Sequence, residues 1–271
     1  MEFDADKFSS LGAGAAFIAA LVFCLWLWRG GAFLLSMWRK PTPRKLQYKI
    51  TLSDFVLLAF LTTLTLFLAS KFSAFLTRYT SDEAVLSYAG TSLMNVLFIL
   101  SAIAFLRFSD SKPRLFSDKF STLIALLKGA YSMFISLAIF LCILAIWVAI
   151  LNFFGANLKE QAAVEFFKNL EPAALKISAM LAVVVLAPIW EEFFFRGFIY
   201  GAIKMHFGSA ISAIVTSVFF AFIHASLYAF LPIFVLSLLF IFLYEKNGDL
   251  RVSMGAHSLF NLFNAVGLMM Q

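Results

Sequence analysis

The chain has 271 residues, of which 62% are hydrophobic and 13% are charged, and its formal net charge is +6 at pH 7. A soluble domain typically has about 45–50% apolar and about 25% charged residues, so this chain has too few polar side chains to cover a water-exposed surface. The composition excludes a soluble domain, a disordered chain and a coiled coil, and it predicts an integral membrane protein.

Four long apolar segments occupy the first part of the chain. They are Ala15–Trp38, Phe55–Leu76, Val85–Leu106 and Ser132–Phe154. Each has the length that a helix needs to cross a hydrocarbon core, about 20 residues for about 30 Å. We therefore expect a transmembrane helix in each of them.

Two segments between these spans are strongly basic. Arg39–Lys49 carries five basic residues and no acid, and Arg107–Lys128 carries five basic residues against two acids. Lys and Arg accumulate in the cytoplasmic loops of membrane proteins. We expect both segments to be cytoplasmic and the N-terminus to lie outside, in a multi-pass protein of a bacterial cytoplasmic membrane. Because this rule accounts for the positive charge, we expect no nucleic-acid partner.

The C-terminal part contains shorter apolar segments, and Pro188 and Pro232 interrupt them. The segments are Ala173–Pro188, Phe193–Met205, Ser209–Phe230, Ile233–Tyr244 and Ala256–Met270. Short or broken segments are typical of helices that line an internal cavity. The sequence predicts an all-α transmembrane bundle of about eight membrane segments around an intramembrane polar cavity. We expect a single domain over residues 1–271, with accessory helices in 1–130 and the core in 131–271.

Ionisable residues are concentrated in this C-terminal part. A charged side chain at the bilayer centre costs about 2.5–3.5 kcal/mol on insertion scales, so such a residue indicates function by default. Glu191, Glu192 and Arg196 lie among aromatic residues. Glu192 and Arg196 are four residues apart, so a helix places them on one face, where they can form an ion pair. Glu191 points about 100° away from Glu192.

Two of the three histidines, His224 and His257, lie in other apolar segments, and Asn261 follows His257 by one helical turn. If the helices on either side of the polar turn at 206–209 are antiparallel, Glu191 and His224 both lie about 22 Å from that turn. A buried glutamate and an imidazole can take a proton from water, and Asn and His can stabilise an oxyanion. The pattern favours a hydrolytic site.

The same residues also allow a metal site. Glu191, His224 and His257 would supply three zinc ligands and leave a fourth position for water. The sequence lacks the H-E-x-x-H motif, so we expect a metal-free site with no cofactor.

Three motifs resemble those of one protease family. Glu191-Glu192-x-x-x-Arg196, Phe220-x-x-x-His224 and His257-x-x-x-Asn261 are similar, in the same order, to the motifs of the CAAX protease and bacteriocin-processing family. This family includes type II CAAX prenyl endopeptidases and abortive-infection proteins. The resemblance implies an intramembrane glutamic endopeptidase.

The resemblance also implies a role for each residue. Glu191 and His224 would activate the water, and His257 and Asn261 would stabilise the oxyanion. Glu192 and Arg196 would support them. The implied partners are the lipid bilayer and a peptide or membrane-anchored protein substrate. The alternative from the residues alone is a non-catalytic membrane scaffold or a proton-coupled transporter, since ionisable intramembrane groups also serve proton relays.

Overall fold

The structure is a computed structural model that describes residues 50–111, 113, 115–156 and 173–270, and every regular element in these residues is a helix. The α-helices are α1 (Leu52–Leu76), α2 (Glu83–Phe108), α3 (Thr122–Phe153), α4 (Ala173–Leu181), α5 (Ala187–Glu192), α6 (Gly201–Phe222), α7 (Leu227–Asn247) and α8 (Leu250–Met269). Two π-helical segments, π1 (Ala182–Leu186) and π2 (Phe193–Tyr200), flank α5. The all-α prediction is confirmed. The predicted span Ala15–Trp38 and the basic segment Arg39–Lys49 lie outside the described residues.

Short polar side chains cap the N-termini of the first three helices, just before each apolar run. Thr51 and Asp54 form a reciprocal capping box at α1, Asp82 caps α2 and Ser121 caps α3. Each side-chain oxygen accepts a bond from a backbone N–H that has no partner within the helix. These caps place the helix starts two to ten residues before the apolar segments predicted from the sequence.

Four described helices are long and apolar enough to cross a membrane by length and composition, or five if the bent helix α3 counts as one span. The helix α3 is bent by 45° between Leu137 and Phe140. The count of about eight membrane segments is therefore not confirmed. The predicted segment Ala256–Met270 lies within the longer helix α8, which is not among the four or five candidate spans. The domain division stays a prediction, and its boundary after residue 130 falls inside α3.

Neither proline ends a helix, which corrects the segment boundaries predicted from the sequence. Pro188 lies at the start of α5, directly after π1, and the wider turns of a π-helix give its ring room. Consequently Ala173–Pro188 and Phe193–Met205 are parts of one continuous helical segment. Pro232 lies in the second turn of α7, where its missing N–H costs one hydrogen bond near the helix end.

The chain turns between α6 and α7 at 223–226, so the predicted segment Ser209–Phe230 ends at Phe222 instead. Ala225 has a positive φ of 48°, and the Ser226 side chain caps α7 by accepting from the N–H of Ala229. His224 therefore lies in a turn between two candidate spans and not inside a helix.

The continuous apolar segment Leu175–Phe222 folds back on itself. At 48 residues it would be about 72 Å long as a straight helix, more than twice the hydrocarbon thickness. Gly208 interrupts it with φ 74° and ψ 174°. The rings of Phe195 and Phe220 then lie 4.8 Å apart, centroid to centroid. The antiparallel pairing on either side of the polar turn, which the sequence analysis took as a condition, is present in this fold-back.

The helix α8 lies at the centre of the described bundle, against α3, α5, α7 and π1. Its approach to α3 depends on two glycines. A Cβ at Gly255 would lie 2.8 Å from the carbonyl carbon of Leu126, and a Cβ at Gly129 would lie 2.8 Å from the amide nitrogen of Ala256. Small residues at such crossings allow two membrane helices to pack backbone against backbone.

Candidate active site

A buried ion pair forms the base of the site. Arg196 Nη1 donates to Glu192 Oε1 at 3.0 Å, and both side chains are fully buried. The i,i+4 pair predicted from the spacing is therefore present. Arg196 Nη2 also donates to Ser237 Oγ at 2.7 Å, which joins π2 to α7. The guanidinium lies over the rings of Phe220 and Phe240, at 4.4 Å and 5.2 Å from their centroids.

His257 on α8 is held by the same carboxylate. Its Nδ1 lies 2.9 Å from Glu192 Oε1. Because a carboxylate paired with arginine accepts hydrogen bonds, Nδ1 of His257 donates. The Phe240 ring stacks on the imidazole at 4.9 Å. The ring orientation is thus fixed from two sides, and Nε2 is the nitrogen that remains available for chemistry.

Glu191 lies opposite that free nitrogen. Its Oε2 is 3.8 Å from His257 Nε2, which is beyond hydrogen-bond distance. The side chain of Glu191 is 16% exposed, whereas that of Glu192 is fully buried. The 100° offset between consecutive helical residues therefore gives the two carboxylates different environments: Glu192 is paired, and Glu191 faces the imidazole across an accessible gap.

His224 reaches the cluster from the turn after α6. Its Nδ1 lies 2.7 Å from the carbonyl oxygen of Phe220. Since a carbonyl oxygen only accepts, Nδ1 carries the proton, and Nε2 of the neutral ring is a free acceptor. Burial lowers the pKa of His224, because desolvation disfavours the imidazolium. The lowered pKa favours the neutral imidazole, whose Nε2 can accept a proton.

The Phe220 ring connects the two histidines. Its centroid lies 4.9 Å from that of His224 and 6.0 Å from that of His257. The motif in which Phe220 precedes His224 by four residues thus supplies both the hydrogen-bond acceptor and the ring between the imidazoles.

Asn261 lies one turn beyond His257 on α8. Its Nδ2 donates to the carbonyl oxygen of Val183 in π1 at 2.9 Å. An amide nitrogen carries two N–H donors, so this bond orients the group and leaves the second donor for another partner. The structure therefore links Asn261 to the segment that precedes the two glutamates.

Two residues of α7 that the sequence analysis did not select complete the cluster. Ser237 and Phe240 contact Arg196, and Phe240 also contacts His257. The only sequence signal is a single serine within a long apolar helix, followed by a phenylalanine three residues later. Such a pattern is too common in membrane helices to identify a site.

No three His, Cys, Asp or Glu side chains in the described part of the chain are arranged to hold a metal ion. Glu192 is engaged with Arg196 and His257, and Nδ1 of each histidine is bonded to an oxygen. The proposed ligand set of Glu191, His224 and His257 is therefore not assembled as a metal site.

The stretch that holds these residues is similar to a known family. Residues 172–263 match the Rce1-like family of type II CAAX prenyl endopeptidases. The match confirms the resemblance drawn from the three motifs, covers about a third of the chain and includes every candidate site residue. The family is described as type II CAAX prenyl endopeptidases, so this stretch of the chain is similar to membrane proteases. No curated protein and no solved structure has a significant match to the chain.

Proposed function

We propose that the protein is an intramembrane endopeptidase that hydrolyses a peptide bond with water activated by Glu191 and His224. The observation that carries this proposal is the 3.8 Å separation between Glu191 Oε2 and His257 Nε2. A hydrolase needs a base for the water and a hydrogen-bond donor for the carbonyl oxygen side by side, because both oxygens become bonded to the same carbon.

In this proposal the first step is attack of water on the peptide carbonyl carbon. A proton of the water passes to Glu191, with His224 Nε2 as a second acceptor, while the C–O bond forms. The lowered pKa of His224 keeps its Nε2 free for this role at neutral pH. The proton then passes to the leaving amide nitrogen as the C–N bond breaks, which releases an amine and a carboxylic acid.

The developing oxyanion would be stabilised by His257 and Asn261. In this proposal Nδ1 of His257 stays bonded to Glu192, and the ring presents Nε2 to the oxyanion. The bond from Asn261 to Val183 leaves one amide N–H for the same oxyanion. Glu192 and Arg196 would then be positioning residues, since they hold the ring without reaching the substrate.

The test uses the full-length protein in detergent or proteoliposomes, with a library of internally quenched peptides that includes isoprenylated C-terminal peptides. We expect cleavage by the wild type and at least a thousandfold lower kcat for Glu191→Gln and for His224→Gln, since each removes a proton acceptor. His206→Gln is the matched control, because His206 lies near Gly208 on the far side of the fold-back. Its activity should equal that of the wild type.

Two results would overturn the proposal. One is unchanged cleavage in both site variants. The other is proton-coupled transport by the wild type in proteoliposomes with no cleavage of any peptide. We also propose that no metal ion takes part, because the sequence lacks the H-E-x-x-H motif of zinc proteases. Loss of activity with a chelator and its recovery with Zn²⁺ would refute this second point.

A further inference from the structure

A hydrogen bond joins the catalytic segment, which consists of α5 and π2, to the helix α2. This helix lies outside the family match. Trp190, the residue before Glu191, donates from its indole Nε1 to Asn95 Oδ1 at 2.6 Å. Asn95 lies on α2 and is only 4% exposed. An amide in the interior of an apolar membrane helix is costly unless a partner satisfies it. Asn95 therefore has a specific partner, and that partner is adjacent to Glu191.

The helix α2 also contacts the ring face of the Trp190 indole. Phe98 stacks on Trp190 with ring centroids 4.5 Å apart and an interplanar angle of 20°. Asn95 and Phe98 are three residues apart, so they share one face of α2. Further along that helix, Phe105 contacts Phe193 at 5.8 Å in π2. The helix α2 thus runs along the catalytic segment and fixes the indole at both its polar edge and its face.

The helix α5 requires such an external contact because of its neighbours. It has only six residues and lies between two π-helical segments. A π-helix bonds each N–H to the carbonyl five residues earlier, so the hydrogen-bond register changes on both sides of α5. Side-chain contacts such as those of Trp190 therefore help to set the rotation of α5 about its axis, and a rotation changes the direction of Glu191.

We propose that Asn95 is a positioning residue for catalysis: through its bond to Trp190, it fixes the rotation of α5 and directs Glu191 toward His257. This inference rests on the proposed function and assigns a role to the helix α2, which lies outside residues 172–263. Asn95 does not touch the reacting atoms. Its effect should appear in turnover and not in substrate binding.

The main test compares Asn95→Leu and Trp190→Phe with the wild type. Leucine is close to asparagine in size but cannot accept the bond, and phenylalanine keeps the ring on Phe98 but lacks the N–H. We expect kcat to fall about ten- to a hundredfold in each variant, because a shift of about 1 Å at a catalytic group has effects of this size. KM should change less than about threefold. The double variant should be no slower than the slower single variant, since both remove the same bond.

Ser101→Ala is the matched control. Ser101 lies on the same helix and shares a hydrogen bond of 2.9 Å with Thr65 on α1, away from Trp190. This variant should keep the wild-type kcat. Wild-type kcat in both Asn95→Leu and Trp190→Phe would overturn the inference. So would losses of kcat that multiply in the double variant, or a loss of activity that only follows the loss of folded protein.

A cross-linking experiment separates this inference from the proposed function. With Cys24 and Cys142 replaced by serine, the pair Glu191→Cys and His257→Cys reports on the facing side chains by its rate of cross-linking with a short bifunctional thiol reagent, because Cys is too short for a direct disulfide here. We expect this rate to fall severalfold when Asn95→Leu is added and to stay the same when Ser101→Ala is added. An unchanged rate with Asn95→Leu refutes the positioning role even if the wild type cleaves no peptide.

Discussion

Replacing Gly255 with alanine should separate α8 from α3 and disturb the site two residues further along the chain. The added Cβ would lie 2.8 Å from both the carbonyl carbon and the Cα of Leu126. Ordinary contacts between carbon atoms are about 3.5–4.0 Å. The obstacle is backbone and not a flexible side chain, so the two helices must move apart by roughly 1 Å.

The energy of this change combines two opposite effects. Overpacking a close contact costs about 1–3 kcal/mol, and the better helix propensity of alanine offsets at most about 1 kcal/mol. Because His257 follows Gly255 on α8, the displacement also moves the imidazole relative to Glu191. A misplacement of about 1 Å lowers kcat/KM roughly a hundredfold. Activity should therefore fall more steeply than stability.

The control is the same substitution on the same helix, Gly267→Ala, where a Cβ would meet no atom within 4 Å. This variant should be as stable as the wild type or more stable, and fully active. The free energy of unfolding is measured by SDS titration in mixed micelles, and kcat/KM by peptide cleavage. Equal stability and activity of the two alanine variants would refute the close crossing of α3 and α8.

Two further predictions concern charge. Arg196→Met should lower the free energy of unfolding by about 3–5 kcal/mol, because it leaves the fully buried Glu192 carboxylate without its cation. Adding Glu192→Gln should recover most of this loss. An unfolding titration in which Arg196→Met matches the wild type would contradict the pairing. The value of kcat/KM should fall as the pH drops through the pKa of His224, because protonation removes the Nε2 acceptor. Burial lowers this pKa below 6.5, so the acid limb of the pH–rate profile should lie below that value. An acid limb centred above 6.5 would contradict the role of His224.

The membrane class and the composition of the site could be predicted from the sequence because both depend on patterns that are costly to maintain. Long apolar segments identify α1 and α2 within a few residues of their bounds. The spacing of Glu192 and Arg196 predicts their ion pair, since helical geometry alone brings residues four apart together. Catalytic roles for Glu191, His224, His257 and Asn261 remain predictions that await the activity measurements.

The helix boundaries of the C-terminal part could not be predicted, because local rules and tertiary packing compete there. Pro188 is a helix breaker by its covalent structure, yet π1 accommodates it within a continuous segment. Pro232 lies in the second turn of α7, and the chain turns earlier, at Ala225. The bond between Asn95 and Trp190 joins residues 95 positions apart, so no local pattern indicates it.

The adjacent pair Glu191–Glu192 explains how one helical turn can serve both structure and chemistry. A single carboxylate bonded to Arg196 and His257 would be a structural ion pair, and its complete burial would keep it from a substrate. Because consecutive helical residues point about 100° apart, Glu191 faces the other nitrogen of His257, and it is partly exposed where Glu192 is not. Glu192 thus fixes the imidazole whose other nitrogen faces Glu191. Two acidic residues in succession are the shortest sequence that provides both, since residues three or four apart would compete for the same face of the helix.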